Sequence, residues 1–494
     1  MLINLIPIAR RAPLFPILVI LIAGCASTGE QRNTASPASS GATLYPRLAN
    51  RIDHLLADTL FPPSNAGIMI YSLTNREALY SRNAELLFAP GSNQKLVTAA
   101  AAFELLDREY TFATEVFVDS SLAEPQIVIR GSGDPLIDTD DIDSIAGAIA
   151  GIVRRTIPWN LVADISLFDG ATKGKGWMWD DDPYEAPISP LSANGNSIEI
   201  VVEPGQGEGD PARATMREPT EFVLLENLVT TSQRGKKDSL VVERSADDAG
   251  DRFQISGSIA LDKKSSTTMV GVSSPEAYWL SLFSRSLADR GIVVGSWQFG
   301  TADNNADPSF TYERNIDSVL YEMMKESDNL CAENVFRILG ISVTGEAGSN
   351  EDGILAVETA LARLGIDTAK LVTADGSGVS RYNLLSATTL VRILEVLYDR
   401  QPDFDRLFAT LPIAGVDGTL STRMKGTPAQ GNLRGKTGTL RGASSLAGYV
   451  TTADGEFLAF SILMQNYPTG PKNYRAAQDS IGVLLSRSRR NDFR

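Results

Sequence analysis

The sequence contains very few of the residues on which the most common hydrolytic and metal sites depend. Among its 494 residues there are one histidine, His54, and two cysteines, Cys25 and Cys331. A Ser-His-Asp triad would have to use His54, and no Gly-x-Ser-x-Gly elbow accompanies it. A zinc site needs several histidines or cysteines, and a cysteine nucleophile usually has a histidine partner. We therefore expect no metal, and we expect a lysine wherever the chain needs a general base.

The chain also lacks an excess of basic residues. It has 45 lysines and arginines against 60 aspartates and glutamates, a formal net charge of −15. Binding to a phosphate backbone needs a basic surface, so this balance argues against a nucleic-acid partner. A nucleotide-binding Gly-x-x-x-x-Gly-Lys-Ser/Thr loop at Lys436 would require glycine where the sequence has Gln430. We therefore predict neither a nucleic-acid partner nor a cofactor.

The first apolar run is too short to cross a membrane as a mature helix. Arg10 and Arg11 precede an apolar stretch at residues 13–23, which is the arrangement of a secretory signal. Residues 21–25, Leu-Ile-Ala-Gly-Cys, resemble the bacterial lipoprotein cleavage box, in which the cysteine becomes the lipidated first residue. We therefore predict a lipoprotein signal peptide over residues 1–24, lipid on Cys25 and a flexible tether over residues 25–44. The alternative is an ordinary cleavage site beside a chance cysteine.

A predicted helix that begins at Ser92 organises the rest of the chain. Pro90 and Gly91 end the preceding segment, and strong helix formers continue to Leu106 without a breaker. Ser92 and Lys95 are three residues apart in the first turn, so they are expected to share a face. Burial there would favour the neutral form of the lysine, which is the form that acts as a base. The alternative is that Ser92 only caps a core helix while Lys95 extends to water.

Two further motifs follow in order along the chain. Ser327-Asp328-Asn329 falls between two predicted helices, and Lys436-Thr437-Gly438 falls on the first strand of a predicted terminal sheet. The Ser-x-Asn pattern also occurs elsewhere, whereas Lys-Thr-Gly occurs once. Together with Ser92 and Lys95, this ordered set resembles the motifs of the serine penicillin-recognising enzymes.

The long separation between Ser92 and Ser327 indicates which of these enzymes the chain resembles most, because it leaves room for a large insert. In this respect the chain is similar to the D-alanyl-D-alanine carboxypeptidase/endopeptidase family with a long insert, the class C low-molecular-mass penicillin-binding proteins. Further resemblances to the family extend over most of the chain, at residues 176–181 (Gly-Trp-Met-Trp-Asp-Asp), 375–378, 411–420 and 446–449.

The resemblance implies an α+β fold. Its core would be a penicillin-binding transpeptidase-like domain, an antiparallel sheet with flanking helices, in two parts, residues 45–112 and 310–490. A large β-rich insert over residues 113–309 would interrupt it, and short strand-like runs separated by glycine, aspartate and proline agree with that. A helical pattern lies at residues 45–60, and helical patterns return at residues 316–325, 330–339, 351–364 and 386–398. Strand-like runs follow at 432–440, 444–450 and 457–465, and a helix is predicted at 474–487. Short turns that contain glycine join the three runs, so we predict that they pair antiparallel.

The resemblance also implies roles for the motif residues. Lys95 would take the proton of Ser92, which would attack the carbonyl between two D-alanines and form an acyl-enzyme. Ser327 and Asn329 would face Lys95, relay a proton to the leaving amine and bind the substrate amide. The backbone N–H groups of Ser92 and Thr439 would hold the oxyanion.

The substrate is expected to lie along the strand that supplies Lys436, Thr437, Gly438 and Thr439. Lys436 would supply positive charge for the terminal carboxylate. Gly438, which has no side chain, would let an extended peptide approach the strand edge. In the insert, Asp181 is the carboxylate that we expect to face the cleft and to pair with the diamino acid of a cross-linked peptide.

The implied activity is that of a D-Ala-D-Ala carboxypeptidase and DD-endopeptidase. Its partners would be peptidoglycan peptides, β-lactam antibiotics and a membrane reached through the lipid on Cys25. Because Ala26 is not the aspartate that commonly retains lipoproteins at the inner membrane, we expect a periplasmic protein anchored in the outer membrane. The alternatives are a β-lactamase-like hydrolase, for which no water-activating carboxylate is identified, and a non-catalytic peptidoglycan- or penicillin-binding protein.

Overall fold

A five-stranded sheet built from both ends of the chain carries the last of the predicted motifs. The structure is a computed structural model that describes residues 45–59, 64–121, 123–177, 185–247, 250–468 and 470–494. Its helices are α1 (Pro46–Thr59), α2 (Gln94–Leu105), α3 (Thr139–Ala150), α4 (Pro275–Asp289), α5 (Ile316–Lys325), α6 (Asn329–Thr344), α7 (Asn350–Arg363), α8 (Ala387–Asp399), α9 (Gln401–Thr410) and α10 (Lys472–Arg487). Its strands are β1 (Asn65–Ser72), β2 (Glu77–Arg82), β3 (Thr111–Asp119), β4 (Gln126–Arg130), β5 (Trp159–Asp164), β6 (Ser197–Glu203), β7 (Arg213–Met216), β8 (Val223–Ser232), β9 (Val241–Asp247), β10 (Gly250–Ala260), β11 (Ser266–Gly271), β12 (Val294–Phe299), β13 (Phe310–Asn315), β14 (Arg434–Leu440), β15 (Ala443–Thr451) and β16 (Phe457–Gln465).

Helices cover both faces of this sheet, whose strand order is β14-β15-β16-β1-β2 with every neighbouring pair antiparallel. Successive residues of a strand point to opposite faces, so the central strands need apolar residues at almost every position. In β15, Ala447 and Tyr449 join the core that includes residues of α2 and α5–α9, while Leu446 and Val450 join the core with α1 and α10. The predicted α+β fold, an antiparallel sheet with flanking helices, is confirmed.

Three further sheets lie between α2 and α5, where the β-rich insert was predicted. One is a mixed sheet of order β12-β5-β4-β3-β13, and the other two are three-stranded, of orders β8-β10-β9 and β11-β6-β7. β13 pairs with β3, so the chain leaves α2 and returns to α5 through neighbouring strands. The two ends of this β-rich segment therefore lie side by side, on neighbouring antiparallel strands.

Three helices, α3, α4 and α9, lie where the sequence analysis had not predicted any. Two of them have strong start signals in the sequence. Asp138 and Asp141 form a reciprocal capping box at the start of α3, and Ser274 accepts a hydrogen bond from the backbone of Ala277 at the start of α4. The strand-like runs around them concealed these signals. By contrast, α5 begins and ends at the residues predicted for it.

The described residues all belong to one compact unit, residues 43–494. Within these residues no helix is both long and apolar enough to cross a membrane. The predicted signal peptide and Cys25 lie outside the described residues, as does Asp181 in the insert. Cys331 is fully buried in the core beside α2, in agreement with a packing role.

Candidate active site

The predicted serine–lysine pair lies at the start of α2. A short 3-10 turn, Gly91–Asn93, runs directly into the helix, so the helical segment begins one residue before the predicted start. Lys95 donates a hydrogen bond from Nζ to Oγ of Ser92 at 3.2 Å. Ser92 keeps partial exposure whereas Lys95 is fully buried. Ser92 is therefore accessible from the exterior, whereas Lys95 lies behind it among buried residues of α2.

Lys95 is held by two acceptors besides Ser92. Its Nζ donates to Oδ1 of Asn329 at 2.5 Å and to the backbone carbonyl of Ser377 at 2.9 Å. Burial lowers the pKa of Lys95 from its ordinary 10.5 to about 8, although the charges of Asp328 and Asp375 oppose that shift. A substantial fraction of this lysine is therefore neutral at slightly alkaline pH, with a lone pair available to accept a proton.

Ser327 has a different partner from the one expected. Its Oγ accepts a hydrogen bond from Nζ of Lys436 at 2.7 Å, and Ser327 itself adopts a left-handed backbone conformation with φ 69°. Lys436 is fully buried, and both burial and the charge of Lys95 hold its pKa well below the usual lysine range. The structure thus contains two lysine–serine pairs, Lys95 with Ser92 and Lys436 with Ser327.

The backbone N–H groups of Ser92 and Thr439 lie at a very close contact between the 3-10 turn and β14. A Cβ placed on Gly438 would lie 2.5 Å from the carbonyl oxygen of Pro90 and 3.0 Å from the nitrogen of Ser92. A Cβ on Gly91 would lie 3.0 Å from the nitrogen of Thr439. Glycine is thus needed at position 438 because the strand packs against the turn that carries the serine, a reason that differs from the expected approach of a peptide.

Glu333 and the loop at residues 375–378 form a support for Lys95 that the sequence analysis missed. Oε1 of Glu333 accepts a hydrogen bond from the backbone N–H of Ser377 at 2.8 Å. The backbone carbonyl of Ser377 in turn accepts a hydrogen bond from Lys95. On the same loop, Thr98 donates to the carbonyl of Gly376 at 2.6 Å. Glu333 is fully buried, and burial followed by the charge of Asp375 raises its pKa. Its spacing of four residues from Asn329, on one face of α6, was the available signal.

A cleft of about 1180 Å³ opens in front of Ser92. Among the residues that line it are the expected Ser327, Asn329, Thr437, Gly438 and Thr439. Thr437 donates from Oγ1 to Oγ1 of Thr419 at 2.9 Å, which fixes its side chain at the cleft wall. The three predicted motifs are therefore brought together at one cavity.

Comparison with known proteins gives relatives over nearly the whole chain. A D-alanyl-D-alanine carboxypeptidase of Actinomadura sp. is 35% identical over 482 residues, which cover 92% of this chain and 87% of that protein. The D-alanyl-D-alanine carboxypeptidase DacB of Haemophilus influenzae is 27% identical, over 86% of this chain and 90% of that one. The crystal structure of penicillin binding protein 4 (dacB) from Haemophilus influenzae matches with a TM-score of 0.79 and 24% identity, over 88% of this chain and 99% of that chain.

A family model covers the same extent of sequence. The model of the D-Ala-D-Ala carboxypeptidase 3 (S13) family matches residues 48–488, a span that includes all three motifs, the insert and the terminal sheet. The order of the motifs had indicated this family, and the cleft formed by α2, the loop before α6 and β14 agrees with it. The chain therefore belongs to the D-Ala-D-Ala carboxypeptidase 3 (S13) family.

Proposed function

We propose that Ser92 carries out the serine-type D-Ala-D-Ala carboxypeptidase activity of this protein through an acyl-enzyme, with Lys95 as the base that activates it. The observation that carries this assignment is the hydrogen bond of 3.2 Å between Nζ of Lys95 and Oγ of Ser92, in a site where burial lowers the pKa of the lysine to about 8. A nucleophile and a base within hydrogen-bond reach, with the base oriented by further groups, are the usual signature of covalent catalysis. Here Asn329 and the carbonyl of Ser377 orient the base.

The first chemical step is an acyl transfer. Oγ of Ser92 attacks the carbonyl between two D-alanines while neutral Lys95 takes the hydroxyl proton. The backbone N–H groups of Ser92 and Thr439 stabilise the oxyanion that forms. Breakdown of the tetrahedral intermediate releases the terminal D-alanine, whose nitrogen needs a proton. Ser327, which accepts a hydrogen bond from Lys436, supplies a path for that proton. Water then hydrolyses the Ser92 ester in a second step.

The same site accounts for covalent binding of β-lactams. The ring of a penicillin presents an amide carbonyl to Ser92, and opening of the ring leaves the departing nitrogen attached to the acyl group. Because the leaving group cannot diffuse away, water is kept from the ester and the adduct persists. The cross-link of a peptide dimer joins the carbonyl of a D-alanine to the side-chain amine of a diamino acid. Ser92 would attack the same type of carbonyl there, so we include DD-endopeptidase activity.

Mass analysis of muropeptides after digestion of purified peptidoglycan tests this function. The wild-type protein is expected to convert pentapeptides to tetrapeptides with loss of one D-alanine and to split cross-linked dimers. Ser92→Ala is the matched control, because it removes one oxygen and leaves the cleft otherwise intact. Equal product from both proteins would overturn the assignment of Ser92.

We further propose that Asp181 recognises the diamino acid of the substrate, because it lies in the tryptophan- and aspartate-rich segment of the insert. A charge-assisted hydrogen bond is worth about 1.5–3 kcal/mol, which is about a tenfold to hundredfold effect on kcat/KM. Asp181→Asn is expected to impair cleavage of peptides that contain the diamino acid while penicillin acylation stays close to the wild-type rate. Equal loss on both substrates would point to a structural role instead.

The proposed location is the periplasmic face of the outer membrane, through lipid on Cys25. The support for this is the sequence alone: a basic start, an apolar run and a Leu-Ile-Ala-Gly-Cys box followed by Ala26. Anchoring by several acyl chains is firm, whereas one chain binds reversibly. Cys25→Ser is expected to move the protein from the membrane fraction to the soluble fraction. Unchanged fractionation would contradict the lipid anchor.

A further inference from the structure

The side chains of β14 divide the strand into a cleft face and an inner face. Thr437 and Thr439 keep exposure and line the cleft, as the alternation of a strand requires. Lys436 and Gly438 are buried, and a Cβ on Gly438 would point toward the carbonyl of Pro90 in the protein interior. A substrate carboxylate that lies against the cleft face therefore meets two threonine hydroxyls.

Lys436 is poorly placed to be the positive charge for that carboxylate. It is fully buried, and its Nζ already donates to Oγ of Ser327 at 2.7 Å and to the carbonyl of Thr437 at 3.2 Å. Burial and the charge of Lys95 also hold its pKa well below the usual range, so its ammonium form is disfavoured. The charge for the carboxylate is better sought on the cleft face.

Several described arginines line the cleft, and Arg475 is one that donates a hydrogen bond to the cleft face of β14. Arg381 instead donates to the backbone carbonyl of Arg441 at 2.6 Å. Arg475 lies in the first turn of α10, is exposed and lines the cleft. Its Nη2 donates to Oγ1 of Thr439 at 2.9 Å, which directs the guanidinium along the strand. The neighbouring Arg423 has a different role, because Asp479 holds it in an ion pair of 2.7 Å. A guanidinium presents parallel N–H donors that match the two oxygens of a carboxylate.

We propose that Arg475 is a specificity residue that binds the terminal carboxylate of the substrate together with the hydroxyls of Thr437 and Thr439. The inference rests on the proposed function, since it places the substrate beside Ser92 along β14. In this proposal Arg475 of α10 gives the enzyme its preference for a peptide with a free carboxyl terminus. Lys436 then acts through its hydrogen bond to Ser327.

The test uses benzylpenicillin and its methyl ester, in which a methyl group masks the carboxylate and removes its charge. Second-order acylation rate constants are measured by intact mass for the wild type, Arg475→Gln and Arg475→Lys. Arg475→Gln is expected to lower the rate with benzylpenicillin about tenfold to hundredfold, as for other hydrogen bonds to charged groups, with less than about threefold change for the ester. Arg475→Lys keeps the positive charge but loses the parallel N–H donors of the guanidinium. Its rate constant with benzylpenicillin is expected to lie between those of the wild type and Arg475→Gln.

Lys472→Gln is the matched control, because it removes one positive charge from the rim of the same cleft and the same turn of α10. It is expected to change neither rate more than about twofold. An equal loss for both compounds in Arg475→Gln would overturn the inference and show that Arg475 only supports Thr439, and an unchanged rate with benzylpenicillin would overturn it too. If the wild type is acylated by neither compound, the proposed function fails, and the inference fails with it.

Discussion

Nζ of Lys436 donates a hydrogen bond to Oγ of Ser327 at 2.7 Å, across 109 residues of sequence. The two lysines of the site therefore have different partners. Lys95 is bonded to Ser92 and Asn329, whereas Lys436 is bonded to Ser327, the serine proposed to relay a proton to the leaving amine. Each lysine is therefore hydrogen-bonded to one serine hydroxyl. In the proposed mechanism the hydroxyl of Ser92 serves acylation and that of Ser327 serves release of the leaving amine.

The pair of Lys436 and Ser327 predicts a selective effect of Ser327→Ala. Loss of the hydroxyl removes the proton path to the leaving nitrogen and takes one acceptor from a buried lysine. We expect kcat/KM for a D-Ala-D-Ala peptide to fall about a hundredfold, within the range for general acid catalysis. Far-UV circular dichroism of Ser327→Ala is the control for folding, because a β-branched threonine that kept the hydroxyl would be strained at φ 69°. An unchanged kcat/KM in Ser327→Ala would contradict the proposed path.

The pKa of Lys95 predicts how acylation depends on pH. The base acts in its neutral form, and burial lowers its pKa from 10.5 to about 8, so the neutral fraction increases as pH rises through 8. The acylation rate constant with benzylpenicillin is therefore expected to rise from pH 6 and to level off above about pH 9. Stopped-flow measurements across this range give the midpoint. A rate that falls as pH rises through 8 would exclude Lys95 as the base.

Gly438→Ala tests the close contact between β14 and the turn that carries Ser92. The new methyl group would lie 2.5 Å from the carbonyl oxygen of Pro90, so the strand has to move away from the nucleophile. A displacement of about 1 Å costs roughly a hundredfold in rate, and we expect a loss of at least that size in acylation. Gly470→Ala, where an added Cβ would meet nothing within 4 Å, is the control on the rim of the cleft. Wild-type acylation by Gly438→Ala would refute this packing.

Glu333→Ala tests the support beneath Lys95. The change leaves the backbone N–H of Ser377 without its acceptor in a fully buried position, which costs about 1–3 kcal/mol. We expect both a lower melting temperature and an acylation rate reduced about tenfold, because the carbonyl that orients Lys95 shifts. Glu333→Gln keeps the acceptor and is expected to stay within about threefold of the wild type. Equal loss in the two variants would show that the charge of Glu333 matters more than its hydrogen bond.

Local sequence signals were enough to predict the elements that carry the motifs. Proline, glycine and a run of helix formers were enough to predict, to within one residue, where the helical segment formed by the 3-10 turn and α2 begins. The spacing of Ser92 and Lys95 within one helical turn was likewise sufficient to predict their contact, which the structure contains. The antiparallel pairing of β14, β15 and β16 followed from short turns between strand-like runs.

The contacts that sequence reasoning missed join residues far apart in the chain. The partner of Ser327 is Lys436, and the residue that supports Lys95 through Ser377 is Glu333 on another helix. Local patterns carry no information about which buried polar groups meet once the helices pack. The helices of the insert were missed for another reason, because their caps at Asp138 and Ser274 stand among strand-like runs.

The most direct test of the central claim is intact mass spectrometry of the protein after exposure to benzylpenicillin. The wild type is expected to gain the mass of one drug molecule and to keep it for far longer than the time of mixing, while Ser92→Ala gains none. The two proteins differ by a single oxygen, so the comparison isolates the nucleophile. A Ser92→Ala protein that still gained the mass of the drug would contradict the account, and rapid turnover of the drug by the wild type would indicate a β-lactamase instead.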